Sequence, residues 1–281
     1  MASIVGTITT SHVPAIGGAI AKGLQNDPYW KPFFDGFQPV RDWLKRVKPD
    51  VVVLVYNDHG LNFFLDKMPT FAIGAANEYR NADEGWGIPT VAPFAGDQRL
   101  SWHLIEGLVR DEFDICSCQE MLVDHAFTVP MQLFWPQGTA GLRTVPFSFN
   151  TVQHPIPSPA RCYRFGQALG RAIASYPQDL RVVLVATGGL SHQLDGTRAG
   201  FINKAFDEMC LEKIVDRPEE LTTYSSIDLV REAGAQGAEF VMWLAMRGAL
   251  TGTVRKLHSN YHIPISNTAT GVLLLENTAD V

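Results

Sequence analysis

Four histidines stand directly after strand-like segments of the sequence, where their side chains could do chemistry together. They are His12, His59, His125 and His192. In open α/β sheets, ligands bind in the crevice beyond the carboxyl ends of the strands, so imidazoles placed there can meet partners from neighbouring strands. For one such histidine alone, an ordinary hydrogen-bonded residue is favoured by odds of roughly two in three, because histidine is intermediate in burial. Four placements of the same kind favour a functional cluster.

Glu239 is a carboxylate in an otherwise apolar stretch, beside Phe240, Val241, Trp243 and Leu244. Its ordinary interpretation is a solvated or ion-paired helix residue, but glutamate is almost never fully buried unless it is paired. A metal ion would supply that partner. Two neutral imidazoles and one carboxylate on one face of a divalent ion are typical of non-haem Fe(II) oxygenases, and the same donors can hold catalytic zinc. The His-Glu-x-x-His motif of zinc peptidases is absent, which favours iron.

The elements that would position these side chains alternate between strands and helices. The central one is the apolar run from Val51 to Val55, whose lack of period-two alternation is typical of a strand buried on both faces. Pro146 interrupts a later strand, which favours an edge position or a bulge. Further strands are predicted at 3–9, 69–73, 113–118, 143–149, 180–187 and 271–275, and helices at 40–47, 100–109, 165–173, 203–216 and 235–249. The pattern predicts a three-layer α/β/α sandwich around a mixed, mostly parallel sheet, folded as a single domain over residues 1–281.

The composition excludes several classes of protein. A formal net charge of −6, with no strongly basic run, leaves no electrostatic footprint for nucleic acid. The cysteines form no paired Cys-x-x-Cys sets, so they indicate neither a zinc ribbon nor a disulfide framework. No apolar run approaches the ~20 residues that span a bilayer, and the first residues lack the basic and apolar regions of a secretory signal. We therefore expect a soluble, cytoplasmic protein without a membrane span.

Seven segments, spread in order over nearly the whole chain, form a specific combination. They are Thr10-Ser11-His12-Val13-Pro14-Ala15, Tyr56-Asn57-Asp58-His59, Ala82-Asp83-Glu84-Gly85-Trp86-Gly87, Val123-Asp124-His125, Thr187-Gly188-Gly189-Leu190-Ser191-His192-Gln193-Leu194, Glu239-Phe240-Val241-Met242-Trp243 and His262-Ile263-Pro264-Ile265-Ser266-Asn267-Thr268. Together they resemble the class III extradiol ring-cleavage dioxygenases, among which the catalytic β subunits of protocatechuate 4,5-dioxygenases are most similar.

The resemblance implies a role for each candidate residue. An imidazole with a pKa near ~6.5 can take a proton from a catechol hydroxyl and return one later. Neutral donors can position a benzoate carboxylate without adding charge. The implied roles are Fe(II) ligation by His12, His59 and Glu239, acid/base catalysis by His192, a second active-site histidine at His125, and contact with the substrate carboxylate by Ser266 and Asn267.

The implied reaction is Fe(II)-dependent extradiol cleavage of a carboxylated catechol such as protocatechuate by O2, giving a 2-hydroxymuconate semialdehyde-type product. Ala126, Phe127 and Ala186 depart from the pattern of close relatives, so gallate or 3-O-methylgallate is an alternative substrate. Two alternatives from other classes also stay open. One is a zinc-dependent hydrolase with the same ligands, and the other is a non-catalytic relative that binds protein, against which the retention of His192 argues.

The resemblance also implies partners for the chain. The protocatechuate enzymes of this family place a small helical α subunit over the catalytic chain, so we expect such a subunit, a homo-oligomer, or both. The long loop from Ala82 to Pro89, with Trp86 at its centre, is the candidate contact surface near the site. The alternative is that Trp86 packs into its own domain and this chain alone forms a closed, active dimer.

Overall fold

The computed structural model describes residues 1–85 and 87–277, and within these ranges the chain forms one eight-stranded sheet and one three-stranded sheet. The strands are β1 (Ser3–Thr10), β2 (Val51–Tyr56), β3 (Phe71–Gly74), β4 (Glu78–Asn81), β5 (Phe94–Ala95), β6 (Cys116–Cys118), β7 (Leu122–Val123), β8 (Arg143–Phe149), β9 (Arg181–Thr187), β10 (Val254–Ile265) and β11 (Thr268–Asn277). The helices are α1 (Pro14–Ala21), α2 (Lys31–Asp35), α3 (Gln38–Val47), α4 (Gln98–Arg110), α5 (His125–Phe134), α6 (Pro159–Ala174), α7 (Lys204–Asp216), α8 (Pro218–Leu221), α9 (Ser226–Ala233) and α10 (Val241–Gly248).

The large sheet has the strand order β10-β11-β1-β9-β2-β8-β3-β6. Its four central strands, β1, β9, β2 and β8, are parallel to one another. The pairs β10 with β11, β11 with β1, and β8 with β3 are antiparallel. Parallel neighbours bring their carboxyl ends to the same edge, so the segments that follow β1, β2 and β9 meet there. The predicted mixed sheet is confirmed.

Successive residues of β2 face opposite layers of helices. Val51, Val53 and Val55 belong to one core, which α4, α6, α7 and α10 cover. Val52 and Leu54 belong to a second core, on the side of α1, α3 and α5. Because both faces of the strand are covered, each of its positions is buried and apolar. This arrangement confirms the predicted three-layer α/β/α sandwich.

The helices that flank the sheet follow simple amphipathic patterns. In α3, the buried residues Val40, Trp43 and Leu44 recur at spacings of three and four, which places them on one face. The α4 helix begins after Asp97, whose side chain accepts a hydrogen bond from the backbone N–H of Leu100 at 3.0 Å. An N-terminal cap of this kind satisfies one of the backbone donors that a helix leaves free at its start.

The position of β8 shows that the prediction for Pro146 was wrong. The strand lies inside the sheet, between β2 and β3, and is not an edge strand. Pro146 pairs with Leu54 in the parallel ladder, whereas β3 pairs only with residues 147–149 of β8. An interior strand tolerates this proline because the β3 ladder ends before it, so the missing N–H does not interrupt that ladder.

Two further elements differ from their predictions. The strand expected at 113–118 is confined to β6, its last three residues. The helix expected at 235–249 starts as a 3-10 turn, Gln236–Phe240, which holds Glu239, and continues as α10. The tighter turn matters for the site because it carries Glu239 into the space beside the sheet edge.

The 12-residue strand β10 was not predicted at all. It lies at the edge of the large sheet, where Arg255 and Lys256 are exposed. Charged side chains commonly protect an edge strand from pairing with other chains, and they also remove the apolar alternation by which a strand is found in a sequence.

Within the described residues, none of the helices is both long and apolar enough to cross a membrane. The assignment of residues 1–281 to a single domain stays a prediction.

Candidate active site

A cavity of about 490 Å³ opens at the edge of the sheet where β1, β2 and β9 end. Five of the side chains predicted to carry chemistry line it: His12, His59, His125, His192 and Glu239. His12 and His59 follow β1 and β2, and His192 follows β9. Because these neighbouring strands are parallel, their carboxyl ends lie at the same edge of the sheet. Topology therefore brings together residues that are far apart in the sequence.

Three imidazoles form the centre of this cavity. One ring nitrogen from each of His12, His59 and His125 lies within 4.8 Å of the others, so the group could hold a metal ion. Glu239 adjoins the group, with its Oε2 atom 3.7 Å from Nε2 of His12. Asn57 links Glu239 to His59, because its Nδ2 atom lies 3.3 Å from Oε1 of Glu239 and 3.2 Å from Nε2 of His59.

Partners outside the cluster fix the orientation of two of these rings. The Nδ1 atom of His12 lies 3.0 Å from the Thr187 hydroxyl, which leaves its Nε2 on the side of Glu239. The backbone N–H of His59 donates to Oδ2 of Asp124 at 2.9 Å, and the same oxygen lies 2.9 Å from Nδ1 of the ring. A carboxylate only accepts, so Nδ1 of His59 is the donor, and the Nε2 atom lies on the other side of the ring, beside Asn57.

Asp124 is buried and also caps α5 by accepting from the backbone N–H of Ala126 at 2.9 Å. Burial alone would raise the pKa of this carboxyl group. The charge and hydrogen bonds of His59 outweigh burial and hold the pKa of Asp124 below its usual value. Asp124 is therefore an anion at neutral pH and can act as a fixed acceptor for His59.

Burial also shapes the protonation of the cluster itself. It lowers the pKa of His12 well below the usual value, with the neighbouring imidazoles acting in the same direction. Burial lowers the pKa of His59 as well, but Asp124 outweighs it and raises the pKa to about 9. A metal ion would therefore meet a neutral ligand at His12 and would displace a proton from His59.

Glu239 is buried and makes few contacts for a carboxylate. Its Oε2 atom accepts from the backbone N–H of Gly189 at 3.2 Å, and Asn57 is the donor to Oε1. Burial raises its pKa to about 7, against the opposing effect of His59. A cation beside Glu239 would favour its anionic form, so this donor set fits a divalent metal ion.

His192 lines the cavity, and its ring is mostly buried. Among the described residues, its buried Nε2 atom has no hydrogen-bond partner. The backbone is fixed, since His192 N–H donates to Ala233 O at 2.7 Å and His192 O accepts from the N–H of Gln236 and of Gly237. Burial, and then the charge of His59, lowers the pKa of His192 to about 4, so the ring is neutral at pH 7.

His125 is held by the loop that precedes β5. Glu84 accepts from the backbone N–H of His125 at 2.6 Å through Oε2, and its Oε1 lies 2.7 Å from Nδ1 of the ring. Glu84, Asp124 and His125 form a second group that could hold a metal ion. Both carboxylates already accept from histidine rings, so we interpret this group as support for His59 and His125.

The two residues expected to meet a substrate carboxylate are neighbours in one turn, but only one of them lines the cavity. Ser266 and Asn267 form the turn between β10 and β11, where both have positive φ angles, 49° and 60°. Ser266 lines the cavity, but Asn267 is not among the described lining residues and is exposed. Trp86, the centre of the predicted contact loop, lies outside the described residues.

Four polar residues that support the cluster were not given a role by sequence reasoning. Each stands close in the sequence to a predicted histidine or in a motif that resembles the family: Asn57, Glu84, Asp124 and Thr187. A rule that searches the two residues before each strand-end histidine would have found Asn57 and Asp124. Glu84 and Thr187 reach their partners only through the tertiary fold.

The fold and this centre define an α/β protein with a candidate mononuclear metal site at the carboxyl edge of its sheet. Residues 6–271 match the family described as "Catalytic LigB subunit of aromatic ring-opening dioxygenase", and the chain belongs to this family. The match confirms the resemblance to the class III ring-cleavage dioxygenases.

Curated relatives support the same assignment. The chain is 42% identical over 197 residues to a gallate dioxygenase of Pseudomonas putida, covering 70% of this chain and 58% of the relative. It is 32% identical over 186 residues to a 2,3-dihydroxyphenylpropionate/2,3-dihydroxicinnamic acid 1,2-dioxygenase of Photorhabdus laumondii, covering 66% of this chain and 55% of the relative. The chain thus spans little more than half the length of these relatives.

One solved structure shares the fold over almost its whole length. An uncharacterized protein from Escherichia coli K12 superposes with a TM-score of 0.62 and covers 96% of this chain and 99% of its own. At 14% identity this likeness concerns the fold alone.

Proposed function

We propose that this chain carries the catalytic centre of a metal-dependent extradiol dioxygenase that opens the ring of a hydroxylated benzoate, with gallate as the favoured substrate. One observation carries the proposal. The chain belongs to a family of ring-opening dioxygenases, and one cavity brings together ring nitrogens of His12 and His59 and the carboxylate of Glu239. Two imidazoles and one carboxylate are the ligand set of non-haem Fe(II) oxygenases.

His12, His59 and Glu239 would hold Fe(II) in this proposal. Bound iron would supply the one-electron chemistry that allows O2 to react with an aromatic ring. The chain positions the three ligands through Thr187, Asp124, Asn57 and the backbone N–H of Gly189, as described above. His125 adjoins them as a second active-site histidine, whose ring Glu84 fixes.

His192 would act as the acid/base. Its neutral ring lines the cavity, and its Nε2 atom has no hydrogen-bond partner among the described residues, so the ring would accept the proton of a catechol hydroxyl. The negative charge of the bound substrate would raise the pKa of the ring from about 4 towards the operating pH. The protonated imidazole could then return the proton to the product.

In this proposal gallate, and not protocatechuate, is the favoured substrate. The similarity to a gallate dioxygenase, at 42% identity, supports the alternative better than the original prediction of protocatechuate. Among the described residues that line the cavity there is no Lys or Arg, so a carboxylate there would depend on neutral donors such as Ser266 and Thr268. Asn267 would need a movement of its turn to take part.

We also propose that a further segment or a small subunit covers the mouth of the cavity. Val152 and Leu194 line the cavity and are 51% and 53% exposed, so a cover could bury both of these apolar side chains. Separately, we propose that the protein is located in the cytoplasm, as the sequence predicts.

The deciding experiment uses the purified chain, reconstituted anaerobically with Fe(II). We expect O2 uptake equimolar with gallate consumed, and weaker uptake with protocatechuate or 2,3-dihydroxyphenylpropionate. The same chain loaded with Zn(II) is the control, because zinc has no redox chemistry. Absence of O2 uptake with every catechol, with Fe(II) fully bound and with and without a co-expressed small subunit, would reject the proposed function.

A further inference from the structure

Asp207 is a buried carboxylate that the proposed reaction does not use. It lies on α7, is 1% exposed, and is not among the described residues that line the cavity. Its Oδ1 atom accepts from the backbone N–H of Ser191 at 2.9 Å and from the Ser191 hydroxyl at 2.8 Å. Its Oδ2 atom accepts from the Tyr261 hydroxyl at 2.8 Å.

Two of these three hydrogen bonds come from Ser191, in the segment that carries the proposed acid/base, and the third comes from Tyr261 on β10. Ser191 directly precedes His192, and its hydroxyl also accepts from the backbone N–H of Asn203 at 3.1 Å. The carbonyl of Ser191 accepts from the N–H of Ala269 in β11 at 2.9 Å. Side chain and backbone of this one residue are therefore tied to α7, to the segment before α7, and to β11.

Asp207 links residues that belong to three different elements. Tyr261 lies on the edge strand β10, Ser191 follows the central strand β9, and Asp207 is on the helix between them. A carboxylate suits this position because all three donors need an acceptor. An amide in its place would lose the negative charge that strengthens these hydrogen bonds. Its NH2 group would have to face Tyr261, whose hydroxyl would reverse and accept, because the backbone N–H of Ser191 can only donate.

We propose that Asp207 is a positioning residue that holds His192 in its productive orientation through Ser191, with Tyr261 fixing the far oxygen of the carboxylate. The role rests on the proposed function, since it acts through the acid/base. An imidazole that transfers a proton must be held within about 0.5 Å of its productive geometry, and the shell behind it supplies that restraint. Burial of a carboxylate is costly, and three well-formed hydrogen bonds offset that cost.

The test is a double-mutant cycle in the Fe(II)-loaded full chain. We expect Asp207→Asn to lower kcat by about 10- to 100-fold, as is typical for a residue that supports a catalytic group, with KM and iron content unchanged. In the His192→Ala background, Asp207→Asn should cause no further loss, because its effect passes through the missing imidazole. Glu208→Gln is the matched control, since Glu208 is the exposed neighbour of Asp207 on α7.

A second measurement does not depend on turnover. In the metal-free protein, Asp207→Asn should shift and broaden the NMR signals of the His192 ring, whereas Glu208→Gln should leave them unchanged. If Asp207→Asn does not fold, Ser191→Ala enters the same cycle. It removes one donor to Asp207 and also the acceptor of the Asn203 N–H.

Three results would overturn the proposal. Equal losses of kcat from Asp207→Asn with and without His192 would show that the carboxylate acts through stability and not through the ring. An unchanged kcat would exclude a positioning role while leaving the proposed function intact. A wild-type chain that consumes no O2 with any catechol, with Fe(II) bound and with and without a co-expressed small subunit, would reject the proposed function, and the role of Asp207 with it.

Discussion

Gly188 lies against Glu239 so closely that a Cβ atom at position 188 would stand 2.7 Å from both Cβ and Oε2 of the glutamate. Gly188 also has a φ of +91°, a conformation that side chains disfavour. We expect Gly188→Ala to displace the Glu239 carboxylate and to weaken Fe(II) binding at least 10-fold, measured by anaerobic titration. Gly196→Ala is the control, because Gly196 has a φ of +72° but nothing near its missing Cβ.

If Gly188→Ala binds Fe(II) like the wild type, Glu239 is not held against the metal by this contact. If Gly196→Ala weakens binding equally, backbone strain and not the displaced carboxylate is the cause.

Glu239→Gln and His125→Ala separate two possible ligand sets. The proposed set predicts that Glu239→Gln loses iron and activity together, because a neutral amide is a weak metal ligand. It predicts that His125→Ala keeps its iron and loses turnover. The measurement is metal content after reconstitution and desalting. Loss of iron only in His125→Ala would assign the site to the three imidazoles of His12, His59 and His125.

His192→Ala should separate metal binding from chemistry. General acid/base catalysis typically contributes ~10²- to 10⁴-fold, so kcat should fall within that range while Fe(II) affinity stays close to that of the wild type. Steady-state O2 uptake and metal titration of the same preparation check both quantities. Turnover near the wild-type value would contradict the role of His192 as acid/base.

Asp207 should make the stability of the protein depend on pH in a defined direction. Burial raises its pKa to about 6, above the usual value of 3.8, although hydrogen bonds from Ser191 and Tyr261 oppose the rise. A carboxyl group whose pKa is raised on folding adds stability below its unfolded pKa, and that stability is lost as the pH rises through the folded pKa. The free energy of unfolding of wild type minus that of Asp207→Asn should therefore decrease between about pH 4 and pH 6.

Urea denaturation of both metal-free proteins across that range gives the comparison. A difference that stays constant or increases with pH would show that Asp207 is already ionised throughout.

A cover over the cavity mouth should reveal itself in the activity of the isolated chain. We expect a co-expressed small subunit to raise the kcat of this chain and to be retained on it during gel filtration. The substitutions Val152→Ser and Leu194→Ser should weaken that retention, because both residues are apolar and exposed at the mouth. Full activity of the chain alone, without stimulation, would exclude the requirement for a cover.

The sequence by itself determined the sandwich and the places where the histidines emerge. A strand buried on both faces must be apolar at every position, so Val51 to Val55 could be recognised without knowledge of its neighbours. The abrupt change to polar residues after such a run marks the carboxyl end, where His59 stands. The position of a buried strand and of its carboxyl end can both be recognised from the hydrophobicity of neighbouring residues in the sequence.

Only the tertiary structure decided which distant residues support those histidines. The pairing of Asp124 with His59, Thr187 with His12 and Ser191 with Asp207 follows from the strand order β1-β9-β2 and from the loops beside it. Strand order is set by contacts between segments far apart in the chain, which no single stretch of sequence encodes. The same reason explains the interior position of Pro146, the unexpected edge strand β10 and the separation of Asn267 from the described cavity lining.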